Sequence, residues 1–207
     1  MDAGPASARK TVRIDGGFAQ WADVAPEYLD DLHDTTPRDH PGYGDAGRQT
    51  NATGRNDFDA VKVARDDRNV SFYARTRDPI TAAEGDNWMV LLLDADGDPK
   101  TGWNGYDVMV NGGRAAGGKC GVERHAGGGH GWEWAKAGGA PFRAAGNEMH
   151  LSVPRAPLGP AAAGRLGMHF KWVDNVPGFD RGGPDPLDWI DKGDVAPNGR
   201  FNYRYVE

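Results

Sequence analysis

The chain has 207 residues and a formal net charge of −6, and its lysines and arginines form no basic stripe. This acidic balance argues against a nucleic-acid partner. No apolar run approaches the length that a bilayer crossing requires, so we expect no membrane span. Cys120 is the single cysteine, which excludes an intrachain disulfide. Apolar segments and seven tryptophans recur along the chain, and this favours a folded domain over disorder.

The N-terminal residues are small and polar. The opening segment MDAGPASARK lacks the apolar core of a signal peptide. We expect residues 1–9 to be a linker or a frayed terminus and residues 10–207 to form a single domain. This start is typical of an excised domain or a mature form.

A long polar segment follows the first predicted strand, which residues 10–14 form by alternating polar and apolar side chains. Within residues 26–56, only 26–32 have the pattern of a short helix. Such a long structureless segment is uncommon inside a compact domain unless it has a function. Its leading candidates for polar contacts with a ligand are Arg38, Asp39 and His40, and the alternative is a solvated surface excursion.

The middle of the chain predicts two β-hairpins. The first joins strands at 57–65 and 69–77 through a turn rich in Asp and Asn. The second begins with six consecutive apolar residues, from Trp88 to Leu93, and returns through residues 106–111. Because an uninterrupted apolar run suits a strand covered on both faces, we expect this strand to lie inside the domain.

The remaining patterns predict mostly short strands. Residues 154–158 suggest one helical turn, and 187–192 a short helix or strand. Roughly ten strands with frequent turns predict an all-β antiparallel β-sandwich, with jelly-roll or immunoglobulin-like layers and long irregular loops. The further strands are expected at 119–124, 132–134, 141–145, 147–153, 165–174 and 201–205.

An acidic turn follows the apolar run. It places aspartates at alternate positions, namely Asp94, Asp96 and Asp98. Such carboxylates supply the hard oxygen ligands that calcium prefers. The EF-hand pattern fails, because Pro99 takes the glycine position and Gly105 replaces the bidentate glutamate. We predict a calcium site completed by Asp107, a backbone carbonyl or a distant carboxylate, and the alternative is a solvated turn.

The tryptophans fall into two groups. Trp21, Trp88 and Trp172 lie within apolar patterns and are expected in the core. Exposed indoles can stack on the apolar faces of sugar rings, while neighbouring polar groups bond the hydroxyls. Asp107 is a candidate for such a polar contact. The candidate stacking residues flank polar loops: Trp103, Trp132 and Trp134.

No catalytic motif is evident. The histidines and the single cysteine lack zinc-site spacing, and neither GxSxG nor HExxH occurs. The glycine run at 127–129 lacks the lysine of a phosphate loop. We interpret the domain as non-catalytic, although the dense polar loop at 31–57 leaves an independent enzyme as an alternative.

Several of these segments, taken in order, resemble family 9 carbohydrate-binding modules and the wider DOMON-like sandwiches. The resemblance spans roughly residues 10–205 and is strongest from Trp88 to Asp107. The matching segments are Ile14-Asp15-Gly16 with Trp21, Val61–Ala64 with 66–72, Asn87-Trp88-Met89 running into Leu93-Asp94-Ala95-Asp96, and 101–107.

The resemblance implies two antiparallel sheets, bound calcium and sugar recognition by aromatic side chains. Asp94, Asp96 and Asp98 would then be metal ligands, and Trp103 or another loop tryptophan would be the stacking platform. It also implies an accessory module of a larger secreted bacterial protein that acts on a glycan or polysaccharide. The location would be extracellular or periplasmic, and a catalytic domain of the parent protein is a possible partner.

Two alternatives stay open beside carbohydrate binding. The domain can be structural, packing against a catalytic neighbour without affinity for sugar. DOMON-like relatives also include haem-b electron-transfer domains, which need an axial pair such as Met with His or Lys. No spacing singles out a pair among Met109, Met149, Met168, His150 and His169. We expect both histidines at exposed strand positions.

Overall fold

The computed structural model describes residues 4–85, 87–129, 131–160 and 164–207, and it confirms the all-β prediction. Helical structure in these residues is limited to two 3-10 turns, Phe18–Trp21 and Ala156–Leu158, and one short helix, α1 (Asp188–Asp191). The described strands are β1 (Glu27–Leu29), β2 (Arg38–Pro41), β3 (Arg48–Asn51), β4 (Phe58–Arg65), β5 (Asn69–Thr76), β6 (Val90–Asp94), β7 (Val108–Val110), β8 (Lys119–His125), β9 (Trp134–Ala145), β10 (Glu148–Pro154), β11 (Gly167–Asp174), β12 (Asp194–Ala196) and β13 (Tyr203–Val206).

Eleven described strands form one continuous antiparallel sheet that curls into two layers. The front layer has the order β1-β4-β5-β10, and the back layer has the order β8-β7-β6-β11, with β12 and β13 both pairing with β11. Strand β9 connects the layers, because residues 134–141 pair with β8 and residues 142–145 pair with β10. Strands β2 and β3 form a separate hairpin.

The main core lies between the two layers. Leu91 and Leu93 of β6 face this core, while Val90 and Leu92 face a second apolar cluster outside the back layer. The prediction that this strand is covered on both faces is therefore confirmed. Each such fully buried aliphatic side chain stabilises the fold by about 1.5–3 kcal/mol. The core also contains the apolar face predicted for β11: Leu166, Met168, Phe170 and Trp172.

The N-terminal segment covers the outer face of the front layer. Trp21 Nε1 donates a hydrogen bond to His150 Nδ1 (3.0 Å), and His150 Nε2 lies 3.0 Å from the carbonyl oxygen of Ile14. Because Nδ1 accepts, Nε2 carries the proton, and the imidazole is neutral. The expectation that His150 is exposed is wrong, because the Phe18–Trp21 turn covers it completely. Residues 10–14, predicted as a strand, form none.

The segment predicted as a long irregular loop contains three strands. Residues 26–32 had the pattern of a short helix, but β1 forms there and adds to the front layer beside β4. Tyr28 explains the difference, since its ring packs into the core against Phe170 (5.2 Å) and Tyr203 (5.0 Å). This ring contact and the backbone hydrogen bonds to β4 at the sheet edge stabilise the strand over a helix in so short a segment.

The N-terminal residues that the structure describes are also bonded to the domain. Ser7 N donates to the carbonyl of Ala25 (2.9 Å), and Arg9 Nε donates to Glu207 Oε1 (2.9 Å). The expected fraying of residues 1–9 therefore does not extend to Ser7 and Arg9, and residues 1–3 lie outside the described part of the chain.

Candidate functional site

The acidic loop (residues 94–107) connects β6 to β7 and is folded by its own aspartates. Asp94 Oδ1 accepts a hydrogen bond from Gly97 N (2.7 Å), and Asp96 Oδ1 accepts one from Asp98 N (2.9 Å). Asp107 Oδ2 accepts one from Ala95 N (2.9 Å) and so joins the two ends of the loop. These hydrogen bonds hold the loop in one shape.

Three carboxylates converge in this loop, but they differ from the predicted trio. Asp94, Asp96 and Asp107 each offer an oxygen, and these oxygens all lie within 4.8 Å of one another. Asp98 lies outside this group, and its Oδ1 instead accepts a hydrogen bond from Lys100 N (3.0 Å). Asp107 takes the third place; the sequence had suggested it both as a residue completing the calcium site and as a polar contact for a sugar.

The electrostatics of the group favour a cation. Burial raises the pKa of Asp107, and the neighbouring Asp96 and Asp94 carboxylates raise it further. Thr101 Oγ1 lies 3.1 Å from each Asp96 oxygen and adds a hydroxyl to the set. His169 Nδ1 lies 3.1 Å from Asp94 Oδ2. A donor set made of carboxylate and hydroxyl oxygens matches what calcium binds.

An aromatic cluster lies beside the acidic loop, outside the back layer. Trp103 is at its centre, with ring centroids 4.8 Å from Trp132 and 6.0 Å from Trp189. Trp103 is only 6% exposed, so the expectation that it forms an exposed platform is wrong. Its ring packs edge-to-face against both Trp132 and Trp189, and sequence reasoning did not connect Trp189 to it. The cluster consists of Trp103, Tyr106, Trp132, Trp134, Phe179 and Trp189.

Trp132 and Trp134 form the accessible edge of this cluster. Both indoles are half-buried, and their centroids lie 5.4 Å apart in an edge-to-face arrangement. Trp132 also packs against Phe179 (5.7 Å) and against the backbone of Gly183, where an added Cβ would lie 2.9 Å from the indole. The strand expected at 132–134 begins only at Trp134, and Trp132 precedes it in the chain.

The three polar candidates of the 26–56 segment lie on the β2–β3 hairpin. Arg38 Nη2 donates to the carbonyl of Asp34 (3.0 Å), Asp39 forms an exposed ion pair with Arg48, and His40 is exposed. Among the described residues, no hydrogen bond, ion pair or ring contact joins these side chains to the aromatic cluster. The structure therefore does not assemble them with Trp132 and Trp134 into one site.

A second acidic group was missed by sequence reasoning. Oxygens of Asp30, Asp34 and Asp194 all lie within 4.8 Å of one another. Burial, followed by repulsion from Asp34, raises the pKa of Asp30 to about 7, and burial also raises the pKa of Asp194. No local spacing signals this group, because Asp194 lies at the opposite end of the sequence.

The haem candidates are not arranged as an axial pair. Met149 and Met168 lie in the main core, and Met109 lies in the outer cluster. Both nitrogens of His150 are already hydrogen-bonded, and His169 lies beside Asp94. This arrangement offers no support for the haem alternative.

A cavity of about 380 Å³ lies on the opposite side of the domain, outside the front layer. Its polar groups bond to one another: the Tyr73 hydroxyl donates to Glu148 Oε1 (2.6 Å), and Lys62 Nζ donates to the carbonyl of Trp21 (3.1 Å). Phe18 is its half-buried aromatic residue. The cavity is a useful reference for ligand experiments, because it also combines an aromatic side chain with polar groups.

Comparison with protein-family models, with curated proteins and with solved structures gave no match. Among the described helices, none has the length and apolar character of a transmembrane segment.

Proposed function

We propose that this chain is a non-catalytic, calcium-stabilised carbohydrate-binding domain. It would act as an accessory module of a larger secreted bacterial protein that works on a glycan or polysaccharide, outside the cell or in the periplasm. The observation that carries the proposal is the half-buried pair Trp132 and Trp134 at the edge of an aromatic cluster that includes Trp103 and Tyr106 of the acidic loop.

The geometry supports a contact with sugar through Trp134 and the exposed part of Trp132. Neighbouring rings already hold these two indole side chains in place. They therefore lose little conformational freedom when a ligand packs on them, which favours binding. Trp103 supports this pair from below, since its ring contacts Trp132. Its role would be to hold the platform in place rather than to touch the sugar.

The acidic loop would hold calcium through Asp94, Asp96 and Asp107. Calcium, when bound, would offset two of the three carboxylate charges and fix the loop that carries Trp103 and Tyr106. Because Tyr106 and Trp103 also exchange two backbone hydrogen bonds (2.9 Å each), the loop and the aromatic cluster form one unit. A cation in the loop would therefore stabilise the position of the platform.

Sugar binding is tested on an array of plant, algal and host glycans in the presence of calcium. We expect binding to at least one glycan class and about a tenfold loss of affinity in Trp134→Ala, the size expected from one aromatic contact. Phe18→Ala is the matched control, because it removes a half-buried aromatic side chain from the opposite face. Absence of binding to every glycan on the array would reject the proposal. Loss of binding in Phe18→Ala alone would indicate that the sugar binds at the front layer instead.

Calcium binding is tested by thermal unfolding with calcium or with a chelator. We expect calcium to raise the melting temperature of the unsubstituted chain, and Asp96→Asn to reduce this shift strongly because it removes one of the converging carboxylates. Asp98→Asn is the control, since Asp98 lies in the same loop but outside the group. If a chelator titration does not change the unfolding curve, the calcium part of the proposal is rejected.

A structural role beside a catalytic domain is the second candidate. The observation that favours it is the exposure of Leu187 (62%) and Ile190 (44%) around helix α1, whose Trp189 is buried in the aromatic cluster. Exposed apolar side chains of this kind suit a protein contact. Absent glycan binding together with self-association that Ile190→Ser abolishes would favour this function.

A further inference from the structure

We propose that this domain selects dissolved glycan chains over the flat faces of crystalline polysaccharides. One sugar of the chain would enter the indole corner, which is the open angle between the rings of Trp132 and Trp134. This selectivity rests on the proposed sugar binding at the same two residues and concerns the physical form of the ligand. The angle between the indole planes carries it, because that angle sets the shape of surface that can contact both rings.

The two indole planes are far from parallel. The planes of Trp132 and Trp134 are inclined at 71°, and their centroids lie 5.4 Å apart in an edge-to-face contact. A flat surface can stack on only one of two rings inclined in this way, because it meets the other ring edge-on. A crystalline face would therefore gain one stacking contact where coplanar indoles would provide two.

The same contact prevents a sugar from entering between the two rings. Rings arranged edge-to-face with centroids 5.4 Å apart already touch each other. A ligand must then pack in the indole corner, with its apolar face on one indole and its rim against the other. A dissolved chain can turn one sugar into this corner, whereas a sugar within a crystal face is held level with its neighbours.

Packing fixes the orientation of Trp132 before any ligand arrives. Its ring lies edge-to-face against Trp103 (4.8 Å) and Phe179 (5.7 Å). The backbone of Gly183 covers it so closely that an added Cβ there would lie 2.9 Å from the indole. In a close-packed cluster of this kind, a ring cannot rotate without displacing its neighbours. Trp132 therefore cannot turn into the plane of Trp134.

His125 fixes the second indole. Its imidazole packs edge-to-face against Trp134, with centroids 5.4 Å apart and planes inclined at 82°. His125 Nε2 lies 2.6 Å from the carbonyl oxygen of Gly131, and it donates this hydrogen bond because a carbonyl oxygen only accepts. Gly131 directly precedes Trp132, so one imidazole connects the backbone beside the first indole to the ring of the second. His125 is thus a positioning residue for the indole corner.

Charged side chains beside Trp134 also suit a hydrated chain. Lys136 is exposed and lies two residues after Trp134, so it points to the same side of β9. Glu123 is half-buried and pairs with Lys136 across β8 and β9. A flat crystal face lying on Trp134 would remove water from these charges, which is costly when no partner replaces the water. The hydroxyl groups of a dissolved chain can bond to both.

Binding to dissolved and crystalline forms of one polymer tests this selectivity. The soluble probes are cello-oligosaccharides, chito-oligosaccharides and any glycan that binds on the array, all titrated by calorimetry. The crystalline probes are microcrystalline cellulose and crystalline chitin, scored by depletion of the protein from solution. We expect binding to at least one soluble glycan, with about a tenfold loss in each of Trp132→Ala and Trp134→Ala. Adsorption to the crystalline polymers should not exceed that of the double variant.

The role of His125 is tested by two substitutions. His125→Phe keeps an aromatic ring beside Trp134 but cannot donate to Gly131, and it should lower the affinity for the soluble glycan about fivefold. His125→Gln can still donate this hydrogen bond and should recover part of the loss. Near-ultraviolet circular dichroism without ligand should change in His125→Phe and return toward the original spectrum in His125→Gln. An unchanged spectrum and affinity in His125→Phe would overturn the positioning role.

The outcomes separate this selectivity from sugar binding itself. Trp134-dependent adsorption to a crystalline polymer that equals or exceeds binding to its soluble oligosaccharides would overturn the selectivity. If an array glycan also bound, the proposed function would stand without it. Loss of affinity in only one of the two tryptophan variants would overturn the indole corner, since a ligand in the corner contacts both rings. No binding to any soluble or crystalline probe would reject the proposed function and this selectivity together.

Discussion

Arg55→Met should destabilise the chain by about 3–5 kcal/mol, because it leaves the buried carboxylate of Asp174 without its cationic partner. Arg55 Nε lies 2.7 Å from Asp174 Oδ2, and Asp174 is completely buried. The other oxygen, Oδ1, accepts a hydrogen bond from Met89 N (2.9 Å). Arg55 Nη2 also donates to the carbonyl of Asn87 (3.3 Å). One ion pair thus links the segment before β4 to the entry of β6 and the end of β11.

The loss should grow as the pH rises. Burial raises the pKa of Asp174, and Arg55 counteracts this increase. Without Arg55 the carboxyl would titrate still higher, so the folded state would bear a growing ionisation cost above the unfolded pKa of about 3.9. Urea unfolding at acid and alkaline pH measures both effects.

Two control variants make the Arg55 result interpretable. Arg48→Met removes an exposed ion pair with Asp39 from the same part of the chain, and such solvent-screened pairs contribute little to stability. The double variant Arg55→Met with Asp174→Asn removes the buried charge and should recover much of the stability. A loss below about 1 kcal/mol in Arg55→Met would show that Asp174 finds another partner or loses its charge at little cost.

Alternation of apolar and polar side chains predicted most of the strands, because successive residues of a strand point alternately to the core and away from it. Residues 165–174 are the clearest case, since Phe170 and Trp172 fall on the same buried face as predicted. Strand β1 was missed because three residues carry too little pattern. It forms only through an edge ladder with β4 and through the ring of Tyr28, and neither is visible in local sequence.

The candidate site was predicted in part, for a related reason. Spacing along the chain suggested Asp98 as the third ligand, but antiparallel pairing of β6 with β7 places Leu93 opposite Val108. The next pair outward is therefore Asp94 and Asp107. Likewise, the buried Trp103 packs against Trp132 and Trp189, and both residues are far from it in the sequence. Residues that come together only through the pairing of distant strands leave no local spacing pattern in the sequence.

Gly102→Ala should cost about 2–5 kcal/mol and should also remove the calcium response of the acidic loop. Gly102 has φ +63°, a conformation that costs other residues about 1–2 kcal/mol. An added Cβ would also overlap the carbonyl group of Tyr106, and forced repacking of this kind costs about 1–3 kcal/mol more. The turn would have to open, separating Trp103 from Tyr106 and displacing Asp107.

Gly97→Ala is the matched control, because it lies in the same loop with φ +73° but has open space around the added Cβ. It should cost only the backbone penalty of about 1–2 kcal/mol and keep the calcium-dependent shift in melting temperature. Thermal unfolding of both variants, with calcium and with chelator, therefore separates strain from loss of the turn. If both variants lost stability and calcium response equally, the Trp103–Tyr106 turn would not determine the geometry of the carboxylates. If Gly102→Ala alone lost both, the same turn would couple the proposed metal site to the aromatic cluster.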